Sequence, residues 1–347
     1  MKKIIAIIGA RPQFIKHYPI DKSAKGTIDL ITIHTGQHYD QEMSQIFFDE
    51  LGMSHPNYQL SVGKGGHGAQ TGKMLENIEE ILINEKPHGI IVYGDTNSTL
   101  AGALAAAKLH IPIAHIEAGV RSYNKHLPEE VNRLLTDHLT SLFFIPTEKA
   151  RIDLSKEGIT QDIYEFGDIM KEVLDDVIEK GLVNSNIADE NFYYTTIHRP
   201  YNTDDCETLK KLLNSLNTLN KKIVFAIHPR TEGRMAEYGL QKTNYKNISF
   251  IKPQSYIDNL NYINASSGVI TDSGGIQKEA YWLKKKCITI RTETEWVETL
   301  ENNWNILSSS DFSTLSKALE VQPGNYKELY NISETSKNII KKINDKF

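Results

Sequence analysis

Residues 90–116 read IIVYGDTNSTLAGALAAAKLHIPIAHI and contain an apolar run, a helical pattern and a second apolar run. The first run ends at Tyr93, the helical pattern covers Ser98–Leu109, and the second run covers Ile111–Ile116. Continuous apolar strands joined through a helix are typical of a parallel sheet that is covered on both faces. This stretch therefore predicts a strand–helix–strand unit of a doubly wound α/β domain.

The same alternation continues along both halves of the chain. Further predicted strands are Ile4–Ile8, Leu30–His34, Leu142–Ile145, Phe192–Ile197, Ile223–Ile227, Ile248–Ile251, Gly268–Thr271 and Cys287–Ile290. Further predicted helices are Glu42–Leu51, Thr71–Asn84, Asp205–Asn217, Tyr256–Ile263 and Gly275–Leu283. We therefore expect two doubly wound α/β domains, each built on a parallel sheet.

The length of 347 residues also predicts two domains, at about 150 residues per domain. We expect a first domain over residues 1–170 and a second over 188–325. The polar and acidic stretch Asp168–Asn191 contains the boundary. The lysine-rich segment 326–347 is helix-like, and we expect it to pack back on the first domain.

Composition excludes several classes of protein. The 39 Lys and Arg residues are outnumbered by 44 Asp and Glu residues, for a net charge of −5, whereas nucleic-acid binding needs a surplus of cations. Two cysteines, Cys206 and Cys287, are too few for a disulfide framework or a zinc cluster. No apolar stretch resembles a signal peptide or reaches the roughly 18 residues of a membrane span. We expect a cytoplasmic protein with no nucleic-acid, membrane or metal partner.

Doubly wound sheets bind ligands outside the carboxyl ends of their strands, so the residues after each strand are the candidates. After the first strand, Arg11 and Lys16 flank the start of a helix, which suits an anionic group. An ordinary strand-to-helix turn with two solvated cations is an equally good interpretation. The Gly-x-Gly-x-x-Gly fingerprint is missing here, so no dinucleotide cofactor is predicted.

Three carboxylates fall at one predicted rim of the first sheet. Asp95 follows the third strand, Glu117 ends the fourth, and Glu129 lies in the first turn of a helix. Carboxylates around one cleft can hold different pKa values and act as separate acids and bases. For Glu129, a favourable interaction with the helix dipole is the alternative explanation.

The other two carboxylates also have structural interpretations. Asp95 is placed to cap a helix, although Asn97–Ser98 offers other caps. A buried Glu117 costs free energy unless it is paired, and His115 or Arg121 is available to pair with it. A structural ion pair is therefore the alternative to a catalytic Glu117.

In the second half, His198 and His228 each end a strand of the same predicted sheet, where a histidine is suited to touch a phosphate or act as an acid. The segment TDSGGIQKEA, residues 271–280, carries the strongest local signal. Bare glycines at a helix start let phosphate oxygens reach backbone N–H groups. A tight turn with a serine cap is the alternative interpretation.

Together and in this order, these segments resemble the non-hydrolysing UDP-N-acetylglucosamine 2-epimerase family. The resemblance covers nearly the whole chain and rests on Gly9-Ala10-Arg11-Pro12, Gly94-Asp95-Thr96, His115-Ile116-Glu117-Ala118-Gly119, Pro128-Glu129-Glu130-Val131-Asn132-Arg133 and Asp272-Ser273-Gly274-Gly275. It implies two Rossmann-like domains in a glycosyltransferase-B arrangement, with the active site in the cleft between them.

The resemblance implies an isomerase that converts a UDP-2-acetamido sugar, of the UDP-GlcNAc type, into its C2 epimer, of the UDP-ManNAc type. The family mechanism is anti elimination of UDP to a 2-acetamidoglucal, followed by re-addition of UDP with protonation on the opposite face of C2. No cofactor is implied. A homodimer and a role in making surface polysaccharide precursors are implied.

The resemblance also assigns residues. The catalytic set that it implies is Asp95, Glu117, Glu129 and His198. The UDP-binding set that it implies is Arg11, Lys16, His228, Ser273, Gly274, Gly275 and Glu279. Which carboxylate is the base and which is the acid stays open.

Several motifs depart from the family pattern. The common His-Arg-Arg-Glu-Asn reads HRPYN at 198–202, and the segment of the second, allosteric UDP-sugar site is partly kept at 37–40. Residues 9–16, 66–72 and 293–299 look more like the branch acting on UDP-2,3-diacetamido-2,3-dideoxyglucuronate. A 6-deoxy UDP-HexNAc epimerase, a hydrolysing epimerase, a UDP-sugar glycosyltransferase and a UDP-sugar-binding protein without turnover are the alternatives.

Overall fold

The structure is a computed structural model that describes residues 1–37, 48, 51–62, 65–184, 187, 191–309, 312, 314–330 and 332–347. Within them the chain divides into two compact units. The first consists of Met1–Asp175 with Tyr330–Phe347, and the second of Asp176–Leu329. Most of the predicted helix Glu42–Leu51 and part of the segment 37–40 lie outside the described residues.

The first unit is a parallel sheet with helices between its strands. The strands are β1 (Lys3–Ile8), β2 (Asp29–His34), β3 (Tyr58–Gln59), β4 (Gly89–Tyr93), β5 (Ile113–Ile116), β6 (Leu142–Ile145) and β7 (Ile163–Glu165). The helices are α1 (Arg11–Ala24), α2 (His67–Glu85), α3 (Asn97–Lys108), α4 (Pro128–Leu139), α5 (Glu148–Lys156) and α6 (Ile169–Glu179), whose end belongs to the second unit. The strand order β3-β2-β1-β4-β5-β6-β7 makes β1 and β4 the point where the winding reverses.

The second unit repeats this architecture. Its strands are β8 (Phe192–Thr196), β9 (Lys222–Ala226), β10 (Ile248–Ile251), β11 (Gly268–Thr271), β12 (Cys287–Thr289) and β13 (Asn305–Leu307). Its helices are α7 (Pro200–Thr203), α8 (Cys206–Asn217), α9 (Pro229–Glu237), α10 (Tyr256–Ala265), α11 (Gly274–Trp282) and α12 (Leu315–Glu320), with 3₁₀ turns at Lys242–Asn244 and Val297–Asn303. All strand pairs are parallel, and the order β10-β9-β8-β11-β12-β13 puts the reversal between β8 and β11.

The apolar runs become central strands because helices cover both faces of each sheet. Ile4–Ile8 and Ile90–Tyr93 are fully buried in the first unit. In the second unit, α8 buries Leu209, Leu212 and Leu216, whose spacing of three to four residues forms one helix face. Burial of such a side chain stabilises the fold by about 1.5–3 kcal/mol.

The last helix, α13 (Thr335–Lys346), belongs to the first unit. Its residues Ile340 and Ile343 are buried, and the Ser23 and Ser336 hydroxyls are 2.7 Å apart. The Lys2 ammonium donates to the Asn344 carbonyl at 2.6 Å. The chain therefore returns to the first unit after completing the second.

The prediction of two doubly wound α/β sheets is confirmed, and every predicted strand is present with its ends shifted by no more than two residues. The sequence analysis missed β3, β7 and β13, which are strands of two or three residues at sheet edges. They lack a continuous apolar run because an edge strand is only partly buried. It also missed five helices: α6, which lies within the polar stretch Asp168–Asn191, and α5, α7, α9 and α12.

Candidate active site

The three carboxylates of the first unit lie where the sheet ends at its carboxyl edge. Asp95 lies in the turn between β4 and α3, Glu117 directly follows β5, and Glu129 lies in the first turn of α4. The charges of Glu117 and Glu129 both act on Asp95. The structure therefore brings together the three groups that the sequence analysis singled out.

Glu117 is paired with Lys16 rather than with His115 or Arg121, which corrects the expected ion pair. The Lys16 ammonium lies 2.5 Å from Oε1 of Glu117, and both side chains are less than 10% exposed. His115 and Arg121 instead contact Asp137. Lys16 reaches Glu117 because α1 follows β1, which lies beside β4 in the sheet.

The turn at Gly94 makes room for this ion pair. Gly94 has a φ of +58°, and a Cβ there would lie 3.2 Å from the Lys16 ammonium and 3.5 Å from Glu117 Oε1. Glu117 itself has a φ of +69°, a left-handed conformation that is uncommon outside glycine. Such backbone strain is found at functional sites, where the surrounding structure holds it.

Asp95 is held by two residues of α4. Its carboxylate pairs with the Arg133 guanidinium, and its backbone carbonyl accepts a hydrogen bond from Asn132 Nδ2 at 2.9 Å. Burial is the largest influence on Asp95 and raises its pKa. The charges of Arg133 and Lys16 lower this pKa, and those of Glu129 and Glu117 raise it. The net shift of the pKa is upward. A carboxyl group of raised pKa is suited to gain and lose a proton near neutral pH.

The cap of α3 is Thr96, whose hydroxyl accepts from the Thr99 N–H at 3.3 Å. The cap is therefore none of the candidates that the sequence offered, Asp95, Asn97 and Ser98. Asp95 stands one residue before the cap, and its carboxylate is directed to Arg133. The helix-cap explanation of Asp95 does not apply.

The turn between β1 and α1 is organised by the side chain of Gln13. The Gln13 side-chain oxygen accepts from the backbone N–H groups of Gly9 at 2.8 Å and Ala10 at 3.1 Å. The Gln13 amide in turn donates to the Tyr93 carbonyl at 3.0 Å. These two backbone donors are therefore occupied, and what α1 offers an anion is the positive charge of its side chains Arg11 and Lys16.

In the second unit, two histidines lie side by side after neighbouring strands. The rings of His198 and His228 are 5.2 Å apart. Asp272, which is fully buried, lies 3.2 Å from His198 Nδ1 and accepts from the backbone N–H groups of His198 and Arg199. Burial alone would raise the pKa of Asp272, but His198 and its hydrogen-bond donors hold that pKa below its usual value.

The Ser-Gly-Gly turn opens α11 directly after β11. Within the described residues, the Ser273 hydroxyl makes no capping hydrogen bond, so the serine-cap interpretation was wrong. A Cβ at Gly274 would lie 3.0 Å from Glu295 Oε1 and 3.3 Å from Trp296 Nε1. Gly275 is the second residue of α11, and Glu279 is buried one turn further along it.

The sequence analysis gave no individual role to several residues that shape these sites: Gln13, Arg133, Asp137, Asp272 and Lys278. Asp272 carried a usable signal, because a carboxylate directly after an apolar strand must be paired. Lys278 is buried with its ammonium 3.6 Å from the centre of the Trp296 ring, a cation–π contact. No local sequence pattern identifies that pair.

Two absences hold for the part of the chain that the structure describes. No group of three or more His, Cys, Asp or Glu side chains there is arranged to hold a metal ion. None of the helices in that part is long and apolar enough to cross a membrane.

The chain is similar to known proteins over most of its length. A family model described as UDP-N-acetylglucosamine 2-epimerase matches residues 21–344. A "UDP-N-acetylglucosamine 2-epimerase homolog" of Methanococcus maripaludis is 49% identical over 318 residues, which is 89% of each chain. A "UDP-2,3-diacetamido-2,3-dideoxy-D-glucuronate 2-epimerase" of Pseudomonas aeruginosa is 44% identical over 314 residues, which is 88% of each chain.

A solved structure shows the same similarity. It is the crystal structure of Methanocaldococcus jannaschii UDP-GlcNAc 2-epimerase in complex with UDP-GlcNAc and UDP. The TM-score is 0.93 at 39% identity, over 98% of this chain and 99% of that one.

Proposed function

The chain belongs to the UDP-N-acetylglucosamine 2-epimerase family, and from this premise we propose that it epimerises C2 of a UDP-2-acetamido sugar without hydrolysis. The observation that carries the proposal is the cluster of Asp95, Glu117 and Glu129 around one turn, with Lys16 and Arg133 beside them. Epimerisation needs one group to remove a proton and another to return it, and this cluster supplies carboxylates in unlike surroundings.

In the proposed reaction, a base takes the C2 proton while the C1–O bond breaks and its electron pair leaves with UDP. The product of this step is a 2-acetamidoglucal. UDP then adds back to C1, and an acid delivers a proton to the opposite face of C2. Early cleavage of C1–O puts positive charge on the sugar and so helps removal of the weakly acidic C2 proton.

Asp95 and Glu117 are the proposed proton carriers, with Glu129 as a third acidic group. The raised pKa of Asp95 supports proton exchange by this carboxyl group. The ion pair with Lys16 favours the charged form of Glu117. His198 is the proposed stabiliser of the departing diphosphate, and the contact of its Nδ1 with buried Asp272 at 3.2 Å supports this role by orienting the ring.

UDP is proposed to bind at two groups of residues. In the second unit these are His228, Ser273, Gly274, Gly275 and Glu279. The uncapped turn at Ser273 supports phosphate binding, because backbone N–H groups at a helix start attract anions. In the first unit, Arg11 and Lys16 supply positive charge.

Two sugars are proposed as substrates, and we place UDP-GlcNAc first. Relatives of both specificities are more than 40% identical to this chain. The segment ETEWVET at 293–299 favours the diacetamido-uronate branch as the second candidate. Trp296 in this segment packs on Lys278 close to the Ser-Gly-Gly turn, so the segment adjoins the proposed nucleotide site.

The proposal is tested by proton NMR of the purified protein in D2O with UDP-GlcNAc and, in parallel, with UDP-2,3-diacetamido-2,3-dideoxyglucuronate. We expect deuterium at C2 and a UDP-linked product of manno configuration. The substrate that turns over faster identifies the branch. Appearance of UDP with free sugar would indicate a hydrolysing enzyme. Absence of exchange with both sugars, in a protein that still binds UDP, would contradict the proposal and favour a transferase.

We further propose that the enzyme is a cytoplasmic homodimer that supplies precursors of a surface polysaccharide, as the family resemblance and the substrate class suggest. Size-exclusion chromatography with light scattering checks the dimer. The expected mass is twice that of one chain, and a single-chain mass at micromolar concentration would contradict it.

A further inference from the structure

A fully buried ion-pair network lies beneath the turns that carry Asp95 and Glu117. It consists of His115 at the end of β5, Arg121 beyond it and Asp137 in α4, all with 0% exposed side chains. Asp137 lies 2.7 Å from His115 Nδ1 and 2.7 Å from Arg121 Nη1. Arg121 also forms two 2.8 Å hydrogen bonds to Glu157, which lies at the end of α5.

The hydrogen-bond partners of His115 indicate where the protons of its ring lie. His115 Nε2 lies 2.7 Å from the Gly94 carbonyl, which can only accept. Asp137 lies 2.7 Å from the Arg121 guanidinium and accepts from the Gly119 N–H at 3.0 Å, and both of these partners can only donate, so Asp137 also accepts. Both nitrogens of His115 therefore face acceptors, and the geometry calls for a donor at each of them. Arg121 lies between the carboxylates of Asp137 and Glu157, so its buried charge is paired on both sides.

The network ends on the backbone of both candidate turns. His115 donates to the carbonyl of Gly94, which directly precedes Asp95. The second oxygen of Asp137 accepts from the Gly119 N–H at 3.0 Å, two residues after Glu117. The Asp137 carboxylate is thus linked by hydrogen bonds to both turns. It contacts the turn after β4 through His115 and the turn after β5 directly.

We propose that Asp137, acting through a His115 ring that donates from both nitrogens, is a positioning residue that sets the separation of Asp95 and Glu117. This rests on the proposed function, because that function requires two carboxyl groups at fixed positions about C2. The left-handed backbone of Glu117, with a φ of +69°, makes such support necessary. A displacement of about 1 Å at a reacting group can lower a rate about 100-fold.

The first test is Asp137→Asn, whose amide cannot accept from both His115 and Gly119 as the two carboxylate oxygens do. We expect kcat to fall about 100-fold, with KM and the Kd for UDP changed by less than about threefold. The matched control is Asp153→Asn, which changes an equally buried aspartate of the first unit that pairs with Lys149 and Lys156. It is expected to lose stability but keep its kcat. Equal kcat losses in the two variants would overturn the proposal.

The second test is ¹⁵N NMR of histidine-labelled protein. In the unmodified protein we expect both His115 nitrogens to carry protons across neutral pH, whether or not turnover is found. A neutral His115 ring would overturn the proposal. A doubly protonated ring in a protein without epimerase activity would instead contradict the proposed function while leaving the network intact.

A pair of variants covers the case in which Asp137→Asn does not fold. His115→Gln keeps an N–H donor for the Gly94 carbonyl, whereas His115→Leu keeps none. We expect kcat of His115→Gln to exceed that of His115→Leu by at least about tenfold at equal thermal stability, which corresponds to the worth of a hydrogen bond. Equal kcat values for the two variants would overturn the proposal.

Discussion

Asp95 unites three properties of a proton carrier at a single residue: a raised pKa, an ion pair with Arg133 and a place at the end of a central strand. We predict that Asp95→Asn lowers kcat by about 10²–10⁴, the usual contribution of a general acid or base. The Kd for UDP, measured by calorimetry, should stay within about threefold, since the proposed phosphate-binding turn lies in the second unit. Near-normal epimerisation by this variant would contradict the assignment. The exposed Asp29 supplies the control substitution Asp29→Asn.

Arg133 allows the pH dependence to be tested with a definite sign. Burial raises the pKa of Asp95, and Arg133 is the strongest influence that lowers it. Arg133→Gln should therefore raise the pKa of Asp95 further. The limb of the pH profile of kcat/KM that reports this group should move to higher pH, whether Asp95 acts as base or as acid. An unmoved profile, in a variant of unchanged melting temperature, would show that Asp95 does not control it.

Sequence reasoning identified Asp95 and Glu117 because both directly follow apolar strands. A charged side chain at such a place costs free energy unless it is paired, so its presence indicates a partner or a function. The same reasoning did not identify the partners. Lys16 lies in α1 and Arg133 lies in α4. They become neighbours of Glu117 and Asp95 only because β1, β4 and β5 are adjacent in the sheet. Pairing choices of this kind depend on the order of strands in the sheet, which an apolar pattern does not specify.

The turn between β4 and α3 is the element on which the candidate site depends most. Gly94→Ala would place a methyl group 3.2 Å from the Lys16 ammonium, on a backbone with a φ of +58°. We predict a stability loss of about 1 kcal/mol from the backbone and a much larger proportional loss of kcat. Thermal unfolding and initial-rate kinetics measure the two effects.

Gly26 provides the matched control for this turn. It has a φ of +79°, and nothing lies within 4 Å of a Cβ built there. Gly26→Ala should therefore show the same order of stability loss with unchanged kcat. Equal kcat losses in the two variants would show that backbone strain, rather than the displaced ion pair, causes the defect.

The elements that the sequence predicted best are those with the strongest physical constraint. Leu142–Ile145 and Gly268–Thr271 were predicted to the residue, because strands buried on both faces exclude most polar side chains. The edge strand Ile248–Ile251 was also predicted to the residue, because three of its four side chains are apolar. The edge strand Tyr58–Gln59 has one side free and left no such pattern. The sequence analysis missed the amphipathic helix α6 because the many polar and acidic residues of the stretch Asp168–Asn191 obscure its apolar face.

At the scale of the whole molecule, the first unit depends on a helix that follows the second unit in the chain. Ile343 of α13 is fully buried, and we predict that Ile343→Ala costs about 2–5 kcal/mol. Hydrogen exchange should show lost protection in α1 and α13, with α8 and α11 of the second unit unaffected. Ile152→Ala, at an exposed isoleucine of the first unit, is the control. Equal loss of protection in both units would contradict their description as separate compact bodies.

The return of α13 to the first unit also has a consequence for protein synthesis. A ribosome makes residues 1–175 first, then the whole second unit, and α13 only afterwards. Domains usually fold as they emerge, in N-terminal to C-terminal order. Here the surface of α1 that receives α13 stays uncovered while roughly 150 further residues are translated. Nascent chains stalled before residue 335 should therefore offer chaperones an apolar surface that the finished protein conceals.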